Sequence, residues 1–409
     1  MANLLANFTV LTWNMGGAKY FSELRETPNA DTWNDHVART VDVLVALLEQ
    51  HNPDVVALQE VPKAEDDGAR FDDVLDQLEE RETGYEHVFF VNLQSDKNKI
   101  RSDFRVLAET FPMVLFKQGY TFLYRRKNSF TNPRPLWEEQ QLSSGRRAED
   151  SFDAIHLSTG LYVGDRNTEP RLAALGRFFK TFESSSKDNA TSLEVCILNV
   201  HLSTLRHERE NMPGFDMESS ALRRSQIDTL LKYVITPYNK AIRDKWEEGW
   251  NKIEPVGQDR KDGLKQRTPL WFIAGDLNCS PESSEMQFLE QMHFVDLLKP
   301  PVGKERQGTK MDSSHDPPTL VLDYMLAGPS FTLERRGAAK FTSDLNSQVI
   351  DIQKLLPALN YATFPSDHIP VFADLQLSQG TVERALDTVG TREKILEALR
   401  RMPLENNRP

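Results

Sequence analysis

Apolar and polar positions alternate along Phe8-Thr9-Val10-Leu11-Thr12-Trp13-Asn14, the period of a strand, and Met15-Gly16-Gly17 then turns the chain away. The period next lengthens. From Thr32, a candidate cap, Val37, Val41, Leu44, Val45 and Leu48 form one helical stripe that Asn52-Pro53 stops. Pro53 to Glu60 is a continuous apolar run ending in an acid, the pattern of a strand covered on both faces. Residues 63–83 predict a charged stretch and a surface helix, and Tyr85 to Leu93 a strand. A hairpin is expected over 114–124, turning at Lys117-Gln118-Gly119-Tyr120. Ile155 to Val163 predicts a strand, and Pro170 to Phe179 fits either period.

The second half repeats the theme. Leu193 to Leu202 predicts a buried strand with Asn199 and His201 on one face. Asp216 to Tyr233 predicts an amphipathic helix. Pro269 to Asn278 is an apolar strand reaching Gly275, where a bare backbone permits close approach. Asp276 and Asn278, two apart, leave it on one face. Ser280-Pro281-Glu282 predicts a helix start. Thr319 to Leu326 predicts a strand broken in its middle by Asp323, and a short helix follows Val349. Pro365 and Pro370 stiffen the turn Ser366-Asp367-His368 as it enters a last strand. Two amphipathic helical pieces are expected near 381–389 and 392–402, packed on the body.

Composition narrows the classes. The chain has 409 residues, 39% hydrophobic and 27% charged, which describes a globular protein able to bury a large core. No apolar run is long enough to span a membrane. Met1 to Asn7 has no basic start, so no signal peptide is expected. Cys196 and Cys279 both lie beside apolar strands, and reduced buried thiols are favoured over a disulfide or a metal pair. The expected location is cytoplasmic. The net charge of −12 argues against a grip on long duplex nucleic acid and suits Mg²⁺ held by carboxylates.

Each candidate group has a plain structural reading and a chemical one. Asn14 can form a turn or hold a phosphate oxygen. Glu60 can be a solvated loop acid or a cation ligand, and His201 a core histidine or part of a site. Asp323, inside an apolar strand, needs a partner, and a histidine on a neighbouring turn would serve.

Taken in order, Trp13-Asn14, Leu58-Gln59-Glu60, Asn199-Val200-His201-Leu202, Gly275-Asp276-Leu277-Asn278, Leu322-Asp323-Tyr324 and Ser366-Asp367-His368 resemble the endonuclease/exonuclease/phosphatase superfamily. That superfamily includes deoxyribonuclease I, abasic-site endonucleases, deadenylases, neutral sphingomyelinases and inositol polyphosphate 5-phosphatases. The resemblance covers residues 8–377 and implies an α/β fold, a four-layered sandwich of two mixed β-sheets packed face to face with flanking helices. It implies a catalytic domain over 1–377, leaving 378–409 as a helical extension.

The resemblance also implies roles. Glu60 would be the principal Mg²⁺ ligand (Mn²⁺ being the alternative ion), with Asn14 and Asp367 close to the metal. Asp276 would orient or deprotonate the attacking water beside Asn278. His368 would contact the scissile phosphate, Asp323 would hold His368, His201 would be a further catalytic residue, and Arg171 and Arg224 would steady a loop or the phosphate together with Asn14. Abasic-site endonucleases carry tyrosine where this chain has His201, and an acid where it has Gly16, so abasic-site repair is disfavoured. The expected function is a Mg²⁺-dependent phosphodiesterase or nuclease acting on nucleic acid or nucleotide, with no obligate protein partner. A phosphomonoesterase or phospholipase on inositol phosphates or phospholipids is the alternative, and a non-catalytic binding scaffold the third reading. Specificity would lie in loops 94–110, 126–150, 203–218 and 299–318.

Overall fold

A computed structural model describes residues 4–16, 30–65, 74–91, 115–125, 152–156, 171–182, 191–203, 215–236, 270–300, 303–311, 317–328, 346–361 and 363–378. Its strands are β1 (Leu4–Asn14), β2 (Val55–Glu65), β3 (Tyr85–Val91), β4 (Leu115–Arg125), β5 (Phe152–His156), β6 (Leu172–Phe182), β7 (Thr191–His201), β8 (Leu270–Asp276), β9 (Val295–Asp296), β10 (Asp323–Ala327), β11 (Asn346–Val349) and β12 (Val371–Ser378). Its helices are α1 (Ala30–His51), α2 (Val74–Glu80), α3 (Phe215–Leu230, running into a π-turn at Leu231–Ile235), α4 (Ser284–Gln291) and α5 (Ile352–Leu355).

The strands form two six-stranded sheets, β11-β12-β1-β2-β4-β3 and β5-β6-β7-β8-β10-β9. Each has one parallel pair near its middle, β1 with β2 and β7 with β8, and antiparallel neighbours elsewhere. Between the sheets lies a core that includes Phe8, Val10, Ala57 and Phe122 from the first and Ile197, Phe272, Ala274 and Met325 from the second. The other face of the first sheet (Leu11, Trp13, Val56, Leu58) packs on the α1 stripe of Val37, Val41, Leu44 and Leu48. The other face of the second (Cys196, Leu198, Trp271, Ile273) packs on Ile227 and Leu230 of α3 and Met286 and Phe288 of α4. The result is the expected four-layered sandwich. Each large apolar side chain sealed in it contributes about 1.5–3 kcal/mol. Cys196 and Cys279 are buried thiols that are not joined in a disulfide.

Several elements differ from the sequence expectation. The expected hairpin at 117–120 is one continuous strand, β4, kept extended by pairing with β2 from Leu115 to Tyr124 and with β3 from Gly119 onward. β2 does not end at Glu60 but runs on to Glu65 past a bulge between Leu58 and Val61. Helix α4 starts not at Ser280 but after Ser283, whose side chain accepts from Met286 N. Asp323 opens β10 rather than interrupting it. Within the ambiguous stretch, Leu172 to Phe179 is strand, and the fifth strand is Phe152–His156, residues 157–163 lying outside the described residues. β12 extends to Ser378 and pairs there with Leu4, across the expected domain boundary. The C-terminal helical pieces and loops 94–110 and 126–150 lie outside the described residues.

Candidate active site

Strand parity builds the site. Positions 8, 10, 12 and 14 of β1 face the opposite sheet, as do 195, 197, 199 and 201 of β7 and 270, 272, 274 and 276 of β8, because alternate residues share a face. In each strand the inward series begins apolar and turns polar at the same end of the sandwich. A first polar rung spans the sheets: Gln59 Nε2 donates to Thr12 Oγ1 at 2.9 Å and to Asn199 Oδ1 at 2.6 Å, while Asn199 Nδ2 donates to Leu58 O at 2.9 Å. Two residues beyond this rung on β1 and β7 stand Asn14 and His201, with Asp276 of β8 paired opposite His201.

Asp276 is the hub. Its Oδ1 accepts from Asn278 N at 2.8 Å, and its Oδ2 accepts from Asn14 Nδ2 at 3.1 Å. The same oxygen lies 3.6 Å from His201 Nε2 and 3.7 Å from His368 Nε2. Burial pushes this carboxyl up to about 6, with His368 pulling the other way and Asp323 adding to the rise. Gly275 makes the close approach possible: its φ is +129°, and a Cβ there would strike Val200 O. Asn278 sits at φ 50°, a left-handed conformation that asparagine tolerates, and its Nδ2 donates to Leu202 O at 3.0 Å.

His368 Nδ1 lies 2.8 Å from Asp323 Oδ2. A carboxylate only accepts, so Nδ1 carries the proton and Nε2 faces Asp276. Burial works against the imidazolium, but Asp323, Asp367 and Asp276 outweigh it and raise His368 to about 9. The turn is pinned to β1: Trp13 Nε1 donates to His368 O at 2.9 Å, Ser366 Oγ to Asn14 O at 2.8 Å, and His368 N to Ser366 Oγ at 3.0 Å. Gly16, at φ +68°, lies so near this turn that a Cβ would strike Ser366 Oγ.

Glu60 stands in the β2 bulge at φ 52°, the left-handed conformation that a carboxylate side chain seldom adopts. Its Oε1 is 3.5 Å from His201 Nδ1, and its side chain is 14% exposed. Arg171, buried at the start of β6, approaches the same Nδ1 at 3.0 Å. A guanidinium has donors only, which assigns the His201 proton to Nε2. Asp367 is 22% exposed and 3.7 Å from the Lys310 ammonium. Burial opposes the charge on Lys310, but Asp367, Asp276, Glu60 and Asp323 raise its pKa nonetheless. The acids therefore crowd one small volume.

The donor set suits a hard divalent cation. Glu60, Asp367 and Asn14 offer oxygens, the first two partly open to solvent. Deeper, Asp276, Asp323 and His368 place ligand-type atoms within 4.8 Å of one another, and Asp323 Oδ1 is buried with no hydrogen-bond partner among the described residues. In its cationic form His368 carries a proton on each ring nitrogen and has no lone pair to offer a metal, so the outer oxygens fit a metal better than this inner group.

The structure thus gathers Asn14, Glu60, Arg171, His201, Asp276, Asn278, Asp323, Asp367 and His368 at one edge of the sandwich. Arg224 is the exception and corrects the sequence expectation. Its guanidinium lies 4.0 Å above the Phe288 ring and donates to Ser284 O at 3.0 Å, an α3–α4 contact rather than a phosphate contact. Its neighbour Arg223 is the buried one, paired to Glu285 at 2.7 Å. Sequence reading assigned no role to Gln59, though it lies inside the Leu58-Gln59-Glu60 motif, and marked Thr309-Lys310-Met311 only as part of loop 299–318, a stretch without apolar period.

No family model and no curated protein matches this sequence. Solved structures do. The human Nocturnin catalytic domain with bound sulfate is 14% identical over 91% of this chain and 95% of its own, with a TM-score of 0.45. An endonuclease/exonuclease/phosphatase from Bacteroides vulgatus is 12% identical over 91% and 100%, with a TM-score of 0.48. TDP2 from Caenorhabditis elegans is 14% identical over 91% and 75%, with a TM-score of 0.43. The neighbours thus include proteins of the family that the sequence motifs resemble. None of these likenesses carries a substrate or a residue role over to this chain. Among the described residues no helix is long and apolar enough to cross a membrane.

Proposed function

We propose that this chain is a divalent-metal-dependent phosphoester hydrolase, a phosphodiesterase acting on nucleic acid or nucleotide with Mg²⁺ as its ion. The observation that carries this reading is the buried Asp276 carboxylate, which has a histidine Nε2 on either side at 3.6 and 3.7 Å and the Asn14 amide at 3.1 Å. A base flanked by proton donors is what in-line attack of water on an anionic phosphate requires.

The geometry supports the roles that the motif resemblance implies. Asp276, raised to about 6, is ionised at neutral pH and more basic than an ordinary carboxylate, so it accepts the proton of the attacking water. His368, kept cationic by Asp323, donates from Nε2 to a non-bridging oxygen as charge builds there. His201, its proton placed on Nε2 by Arg171, is the second donor. Asn14 and Asn278 hold Asp276 in place. Glu60, Asp367 and Asn14 would hold the metal, which when bound neutralises phosphate charge and polarises the reacting phosphoryl group. The acidic chain, at net charge −12, favours a short nucleic acid or nucleotide-like substrate over a long duplex.

The test is hydrolysis of a substrate panel by wild type and His368→Ala, each with Mg²⁺ and with EDTA. The panel holds bis-p-nitrophenyl phosphate, single- and double-stranded DNA, RNA, inositol phosphates and sphingomyelin. Activity that needs both metal and His368, strongest on a nucleic acid or nucleotide diester, is the expected result. Metal-independent turnover, or turnover that survives His368→Ala, would sink the reading. A preference for inositol phosphates or sphingomyelin would replace the substrate class and leave the chemistry standing.

A further inference from the structure

The segment Thr309-Lys310-Met311 is a crosspiece between the two loops that carry Asp323 and His368. Lys310 forms backbone bridges with both Leu320 and His368. Met311 N donates to Asp367 O at 2.8 Å, and Ile369 N donates to Thr309 O at 2.7 Å. On the other side, the fully buried Thr309 hydroxyl accepts from Leu322 N at 3.1 Å and Asp323 N at 3.0 Å. The backbone of Lys310 is therefore fixed from both flanks, and a side chain on such a support has a defined reach.

That side chain ends among the acids. Its Nζ is 3.7 Å from Asp367 Oδ2, longer than a hydrogen bond, so the ammonium is near a carboxylate without spending its donors on that oxygen. The side chain is 25% exposed and so open to solvent on one side. Glu60, Asp276, Asp323 and Asp367 together would repel a phosphate anion. A fixed cation beside them offsets that repulsion and offers a point charge to the incoming group.

We propose that Lys310 is a substrate-binding residue of this site, its ammonium contacting a non-bridging oxygen of the bound phosphate group. The proposal rests on the phosphoester-hydrolase reading and adds to it a residue outside the recognised motifs.

The experiment is equilibrium binding of inorganic phosphate, in the presence of Mg²⁺, to wild type, Lys310→Met and Lys310→Arg, with Mg²⁺ binding measured alone in parallel. Lys310→Gln replaces the Met variant if circular dichroism shows that the latter does not fold. Loss of one charge-assisted contact predicts about 10- to 100-fold weaker phosphate binding in Lys310→Met. Lys310→Arg should recover most of it. Mg²⁺ affinity should hold or rise, because a like charge has left the neighbourhood.

Unchanged phosphate affinity in Lys310→Met overturns the proposal. So does a parallel fall in Mg²⁺ affinity with no rescue by Arg, which would make Lys310 a structural counter-ion. So does a wild type that binds no phosphate. The hydrolase reading is judged separately, by turnover of the diester panel: phosphate binding that depends on Lys310 in a protein without turnover would remove that reading and leave the anion site.

Discussion

The two sheets end at the site in the same way but present their acids differently. Each contributes the outer end of a parallel strand pair, β1 with β2 in one and β7 with β8 in the other. The first sheet brings Glu60 from its bulge and Asp367 from the turn before β12, with side chains 14% and 22% exposed. The second brings Asp276 and Asp323, each 2% exposed at the side chain. Partly open carboxylates can exchange water for a hydrated cation. Sealed ones feel low dielectric, which moves the proton affinity of Asp276 and lets Asp323 act strongly on His368. The acids of one sheet are thus suited to a cation and those of the other to governing protons. The difference lies in burial, since both use the same residue types.

The sharpest way to break this division is to neutralise one acid on each side. Asp276→Asn should cost about 10²- to 10⁴-fold in kcat at saturating Mg²⁺, the usual worth of a general base. Glu60→Gln should instead weaken Mg²⁺ binding by about 10- to 100-fold, with kcat partly restored by added metal. Steady-state kinetics across a Mg²⁺ titration, with calorimetric Mg²⁺ binding, separates the two outcomes. If both variants behave alike, the division fails.

A pH experiment probes the buried side by itself. In EDTA the His368 imidazolium is raised from 6.5 to about 9. A raised histidine adds stability that is fully present below about pH 6.5 and is lost as pH rises through about 9. Asp323→Asn removes the foremost of the charges that raise it, so this decline should shift to lower pH and shrink. Urea unfolding from pH 6 to 10 reads the effect. Asp276 acts in the same direction at lower pH: raised from 3.8 to about 6, it takes stability away as pH rises from about 3.8 through about 6, and the penalty is relieved as pH falls back towards 3.8.

A smaller effect is expected where the sheets are tied to each other below the site. Gln59→Leu leaves Asn199 Oδ1 without the 2.6 Å donor and should cost about 1–3 kcal/mol of stability in denaturant titration. The smallest belongs to Arg224→Ala, which loses a stacking contact on Phe288. About 0.5–1 kcal/mol of stability should go, with kcat and KM unchanged. A KM effect there would restore Arg224 to the phosphate.

How much was legible depended on whether a residue's surroundings are written in its own strand. The polar strand ends at Asn14, His201 and Asp276 could be read off because period-2 alternation marks which face is buried. The need of Asp323 for a histidine was legible too, since an acid beside an apolar run asks for a partner, and His368 Nδ1 stands 2.8 Å away. Arg224 misled because helical spacing places Arg223 and Arg224 side by side, and only packing tells which one turns inward. The continuity of β4 was missed because Gly119 reads as a turn locally, whereas pairing with β2 and β3 holds it extended.

By itself the sequence determined the strands that carry the site, their inward faces and the set of polar groups at their ends. These are local properties, set by backbone period and side-chain type. Tertiary structure decided which of those groups meet. Asn14 and Asp276 are 262 positions apart and share a hydrogen bond, and Lys310 reaches the acids only because its neighbours bond to two distant loops. A segment whose backbone partners lie far along the chain has no period of its own to announce where it ends up.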